Sequence, residues 1–122
     1  MAGQPISPTE ASYAQAWLAE MPTRWLFVSG QVPTDSDGDA PSSFADQARV
    51  VWRNLETQLH AANMNLSDIA KLTVYLSSRD YRQQNTQIRR EILGAHCPAI
   101  TVIIADIFDS DWLLEVDAIA CR

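Results

Sequence analysis

Ala99-Ile100-Thr101-Val102-Ile103-Ile104-Ala105-Asp106-Ile107 decides how this chain folds. It follows Pro98, is almost unbroken in apolar and mostly β-branched residues, and so predicts a buried strand. Side chains alternate along a strand. Ile100, Val102 and Ile104 therefore serve one face, and Ile103, Ala105 and Ile107 the other. Both faces of this strand need cover. Working outward, Ile69 to Leu76 reads as a second strand, with Leu72, Val74 and Leu76 opposed to Lys71, Thr73 and Tyr75. The last strand spans Leu113 to Cys121. Leu114, Val116, Ala118 and Ala120 line one side of it, and Leu113, Glu115, Asp117 and Ile119 the other. Arg24 to Ser29 is rich in strand formers and stops at Gly30, and Tyr13 to Leu18 reads as a short strand.

Two helices fit between these strands. Ser43 can cap the first, with Asp46 three residues on. Phe44, Ala48, Val51, Leu55, Leu59 and Ala62 then recur at steps of three or four, which draws one apolar stripe. Asn63 or Asn65 can take the left-handed conformation that ends it. The second helix runs from about Asp80 to Leu93, with Tyr81, Asn85, Ile88 and Ile92 on one face and Gly94 as its stop. Residues 1–9 are polar, contain two prolines, and are expected as a loosely held lead-in. The order β-β-α-β-α-β-β predicts a single α+β domain over residues 1–122, with two helices on one face of a mixed sheet. Two helices cannot cover both faces. At about 25 cal/mol per Å² of apolar surface, a wet row of such side chains costs several kcal/mol, comparable to the whole stability of a small domain. The simplest cover is another copy of the chain, so the residues predict a homo-oligomer.

The chain has 122 residues, a formal net charge of −6 and a pI near 4.6. Lys71 is the only lysine and the arginines are scattered, so the basic stripe of a general nucleic-acid binder is missing. No apolar run reaches the ~20 residues of a membrane span. The N-terminus lacks a secretory pattern, and Cys97 and Cys121 make neither a disulfide framework nor a metal quartet. These features predict a reduced, cytoplasmic protein that engages neither membrane nor nucleic acid.

There is no nucleophile elbow, no phosphate-cradling glycine loop and no dinucleotide fingerprint. His60 and His96 lack partners at metal-ligand spacing and read as surface or helix-end residues. Asp35, Asp37 and Asp39 imitate the start of a calcium loop, but Gly38 falls two places early, so an ordinary acidic turn is the simpler reading. Cys97 has no adjacent base. Three polar positions stand out. Asn85 interrupts an apolar helix face, where it either ties a loop backbone or faces a ligand. Glu115 lies on a core-like strand, as a salt-bridged acid or as a half-buried carboxyl able to hold water and move a proton. Ser29-Gly30-Gln31 interrupts a strand, as a simple bend or as a place where backbone amides face a ligand.

Taken together, Ser29-Gly30-Gln31-Val32-Pro33, the helix with Gln47-Ala48 and Asn54-Leu55, the strand Asp68 to Leu76, Asn85, Pro98-Ala99, and Leu114-Glu115-Val116-Asp117-Ala118-Ile119-Ala120 resemble the Rid family. These are the reactive-intermediate deaminases, also called YjgF-like proteins, and the resemblance covers about Tyr13 to Ala120. It implies a chorismate-mutase-like fold and a homotrimer with small-molecule clefts between subunits. It further implies hydrolysis of 2-imino acids to 2-keto acids and ammonia without metal or cofactor. Carried over, it frames a pocket from Tyr13, Ser29, Gly30, Asn85 and Glu115, with Glu115 as the catalytic residue. The family's carboxylate-binding arginine directly follows Pro-Ala. Here that position is Ile100, which with Val102 makes an apolar pocket floor and assigns the chain to the subgroup without that arginine. A fork of two charge-assisted bonds is lost, enough to weaken 2-imino-acid binding by roughly two orders of magnitude. Three roles follow: an enzyme for a more apolar imine, enamine or related reactive metabolite, a non-catalytic trimer binding a metabolite or protein, and a 2-iminoalkanoate deaminase whose arginine is Arg24, Arg79 or Arg82. The ribonuclease role given to some relatives is at odds with the acidic charge and the absence of a paired histidine/lysine site.

Overall fold

A computed structural model describes residues 3–122. Eight regular elements follow in the order β1 (Gly3–Pro8), β2 (Ala14–Ala19), β3 (Trp25–Gln31), α1 (Phe44–Ala61), β4 (Ile69–Leu76), α2 (Arg82–Leu93), β5 (Ala99–Ile104) and β6 (Leu114–Cys121). The strands form one mixed sheet in the order β1-β2-β5-β4-β6-β3. β4 runs parallel to β5 and antiparallel to β6.

α1 starts where its sequence places it: the Ser43 side chain accepts the Asp46 N–H. It ends as Asn63 turns left-handed at φ 56°. Phe44, Ala48, Val51, Leu55 and Leu59 of α1 pack on Leu72, Val74 and Leu76 of β4 and on Leu114, Val116, Ala118 and Ala120 of β6. Ile88 and Leu93 of α2 join the same core. The alternation expected of β4 and β6 therefore holds, with one side fully buried.

Several boundaries differ from expectation. Of the lead-in expected to be loosely held, Met1 and Ala2 lie outside the described residues, while Gly3 to Pro8 pairs antiparallel with β2. An edge strand tolerates Pro5 and Pro8 because one row of its N–H groups has no ladder partner to lose. β3 does not stop at Gly30. It continues to Gln31 through a register shift between Val28 and Gln31, so the glycine marks a bulge rather than an end. The second helix enters through a 3₁₀ turn over Arg79–Tyr81 capped by Ser78, with α-helix proper from Arg82. β5 stops at Ile104, short of Ile107.

β5 is apolar but not buried: Val102, Ile103 and Ile104 keep 38–42% of their surface. Its outer edge meets β2 at a single pair, Ala14 with Ala99, and then diverges. On the face away from the helices, Trp25 and Phe27 stack at 6.4 Å and remain 50% and 72% exposed. That face carries Ile103, Tyr75, Glu115, Asp117 and Ile119 in adjoining register positions.

Candidate functional site

The residues singled out by the sequence fall into two groups. The first surrounds a cavity of about 890 Å³ in the gap where β2 and β5 part, closed on one side by α2. Tyr13, Asn85, Ile100 and Val102 all line it. Ile100 and Val102 are there because strand alternation turns them to the helix side, and α2 does not reach far enough along β5 to cover them. Leu76 and Ile104 extend the same apolar floor.

Asn85 is 3% exposed and sits on the cavity wall. The buried side-chain atoms without a partner among the described residues are Trp17 Nε1 and Arg89 Nε, and the Asn85 amide is not one of them. Arg89, one turn further along α2, lines the same wall and is 4% exposed. Its Nη2 donates to the Ala11 carbonyl at 2.8 Å, which pins the loop before Tyr13, while its Nε is buried without a partner. Burial and the neighbouring Arg90 charge lower its pKa, against an opposing effect of Tyr13. Sequence reading missed Arg89, although a signal existed: Arg82, Asn85 and Arg89 are spaced to share one helix face. Arg79 and Arg82 line the cavity as well. Arg24 does not; it donates to the Ala62 and Asn63 carbonyls at the end of α1.

The second group, Ser29, Gly30 and Glu115, lies on the other face of the sheet at the β3–β6 bulge. A Cβ on Gly30 would collide with the Glu115 carboxylate, whose Cδ is 2.6 Å from that point, so only glycine admits this approach. Glu115 opposes Tyr75 across the ladder, and the Tyr75 hydroxyl donates to Asp117 at 3.0 Å. Partial burial raises the Glu115 pKa, and the Asp117 charge raises it further. Two strand spacings, roughly 10 Å, and the sheet itself separate Glu115 from β5. One chain thus brings Tyr13, Asn85, Ile100 and Val102 together but keeps Ser29, Gly30 and Glu115 apart from them.

The other candidates have local roles. His96 is half-buried, with a ring nitrogen 2.7 Å from the Ile69 carbonyl. His60 is exposed beside Glu56 on α1. Asp35 Oδ1 accepts the N–H groups of Asp37 and Asp39, so the acidic turn uses that carboxylate for its own backbone.

The family pattern described as Endoribonuclease L-PSP matches residues 5–122. The chain belongs to the Rid, or YjgF-like, family. A RutC family protein of Pyrococcus horikoshii is 33% identical over 123 residues, covering 99% of this chain and 92% of that protein. The 2-iminobutanoate/2-iminopropanoate deaminase of Escherichia coli is 29% identical over 101 residues, covering 80% of this chain and 79% of that enzyme. The crystal structure of a Rid family protein of unknown function from Yersinia pestis superposes with a TM-score of 0.88 at 23% identity, over the whole of both chains. The fold of this Rid protein is chorismate-mutase-like, as its sequence implied.

Proposed function

We propose that this Rid protein hydrolyses an imine- or enamine-type reactive metabolite in clefts shared between copies of the chain, assembled as a homotrimer. The observation that carries this is the split site. A pocket with an apolar floor and a nearly buried amide, Asn85, lies on one face, and a raised-pKa carboxyl lies on the other. Neither half is complete alone, and the surface that would join them is apolar. Trp25, Phe27 and Ile103 are the large exposed groups a second copy would cover.

In the joined cleft, Asn85 and the Tyr13 phenol orient the substrate, while Ile100 and Val102 hold its alkyl part. Glu115 of the adjoining copy holds the water. As water adds to the imine carbon, the Glu115 carboxylate takes its proton and passes it to the imine nitrogen, so that the C=N bond becomes the C–NH₂ of a carbinolamine. Glu115 then takes the carbinolamine hydroxyl proton and delivers it to nitrogen as the C–N bond breaks, ammonia leaves and the carbonyl forms. One imine and one water give one ketone and one ammonia, with no redox change. The Ser29–Gly30 amides lie beside Glu115 and supply donors for the developing oxyanion. Ile100 takes the position after Pro98-Ala99 where family members carry arginine, so this chain holds its substrate by other means.

The test is turnover of 2-iminobutanoate and of uncharged imines by wild type and Glu115→Gln. The variant is expected to lose about 100-fold or more in rate. Equal rates, or no consumption of any imine by wild type, would contradict the proposal.

A further inference from the structure

We infer that Arg89 and Arg90 clamp the loop of residues 9–13, and that Arg89 is a positioning residue which sets Tyr13 on the cavity wall. This deepens the reading above, and only its last step, from Tyr13 to substrate, rests on that reading. Consecutive arginines of α2 reach consecutive carbonyls of the loop between β1 and β2. Arg89 Nη2 donates to the Ala11 carbonyl and Arg90 Nη2 to the Glu10 carbonyl, each at 2.8 Å. The loop is also closed at its base, where the Thr9 N–H and hydroxyl both donate to the Tyr13 carbonyl, at 2.8 and 2.9 Å. The next N–H, that of Ala14, donates to the Pro98 carbonyl at 2.9 Å. The backbone is thus held on both sides of Tyr13.

Stability alone does not ask for this arrangement. Ser12 sits at φ 62°, a left-handed conformation that disfavours a residue with a Cβ. Such a bend persists only where its surroundings impose it, and the two arginine bonds fall on the carbonyls just before it. Arg89 is 4% exposed and takes part in none of the ion pairs among the described residues. Its Nε has no partner, and burial and the Arg90 charge lower its pKa. Tyr13 opposes that shift, so its phenol lies within electrostatic reach of the guanidinium. An unmatched buried guanidinium is costly, and an apolar side chain of the same size would pack there without that cost. What the charged residue adds is its one bond. That bond ends two residues before Tyr13, and Ala11 and Tyr13 line the cavity together. Arg90 is exposed, so water competes for its bond and its share of the hold is the smaller.

Arg89→Met keeps the volume and removes the buried charge, so its melting temperature is expected to match or exceed that of wild type. The loop is read on the full chain by a glutamate-specific protease, with the cuts mapped by mass spectrometry. Cleavage after Glu10 is expected to quicken about tenfold in Arg89→Met and several-fold in Arg90→Gln. Cleavage after Glu56, inside α1, stays at the wild-type rate. Arg89→Lys, which still carries a donor to the loop, restores most of the protection. On the imine that wild type consumes fastest, Arg89→Met is expected to raise KM about tenfold and to leave kcat within about threefold. In a Tyr13→Ala background the same substitution adds nothing, because its effect passes through Tyr13. Wild-type cleavage after Glu10 in both arginine variants would overturn the clamp. A released loop with wild-type KM, or a full further loss on top of Tyr13→Ala, would overturn the positioning role. A wild type inert towards every imine contradicts the hydrolytic reading instead, and protection at Glu10 then decides the clamp by itself.

Discussion

Gln47 and Asn85 are both buried amides on helices that cover the same sheet face, and they are used in opposite ways. Gln47 Nε2 donates to the Pro41 and Asp111 carbonyls at 2.8 and 2.9 Å, and its Oε1 accepts the Leu113 N–H at 2.8 Å. Every direction of that amide is spent on holding two loops to α1. Asn85 is buried to nearly the same degree but lines the cavity. Burial alone does not distinguish a structural polar residue from one kept for a ligand; what the side chain faces does. Around α1, polar groups close on the chain itself, as Asn54 also does on the Val32 and Thr34 carbonyls. Along α2, Asn85 lines the cavity and Arg89 keeps a buried Nε with no partner among the described residues.

The contrast can be broken experimentally. Gln47→Ala strands two carbonyls and one N–H in the interior, and is expected to cost about 3 kcal/mol and to lower the melting temperature by roughly 10 °C. A loss as small as a surface substitution gives would remove Gln47 from the comparison. Gly30→Ala drives a methyl into the Glu115 carboxylate, the far end of a partly exposed side chain, so the carboxylate is expected to swing aside at a stability cost of about 1 kcal/mol while turnover falls. Asn85→Leu removes an amide that lines the cavity. Its stability should stay within about 1 kcal/mol of wild type while imine turnover falls. A collapse in stability would mean that Asn85 is structural after all.

The smallest effect is one of pH. The folded chain raises the Glu115 pKa, so the folded state binds this proton more tightly than the unfolded state does. Stability from that proton is present below the unfolded carboxyl pKa and is lost as pH rises through the folded one. Glu115→Gln carries no such loss. Its melting temperature should match wild type in acid and exceed it increasingly towards neutral pH. A constant gap across the range would contradict the raised pKa.

Much of this was legible in the residues. The Phe44–Leu59 stripe with its Ser43 cap, and the alternation of β4 and β6, depend on local spacing and local chemistry, and both elements are where that spacing puts them. β1 was not legible, because its prolines disfavour a strand until the strand is known to be an edge. The bulge at Ser29-Gly30 read as a break because glycine signals both, and only the partner strand tells them apart. Arg89 escaped because an arginine on an amphipathic helix is ordinarily a solvent-facing residue. Its burial depends on the loop at Ala11, far away in sequence. The separation of Glu115 from Asn85 is a matter of sheet order, which no single strand encodes.

The shared cleft is tested most directly by mixing. Asn85→Leu and Glu115→Gln, each nearly inactive alone, are unfolded together, refolded as mixed assemblies and assayed on the imine that wild type consumes. If each cleft draws its two halves from different copies, equal mixing restores roughly a quarter of the wild-type rate. Mixed assemblies that stay as inactive as their parents, or a wild-type solution mass of a single chain, would contradict the account.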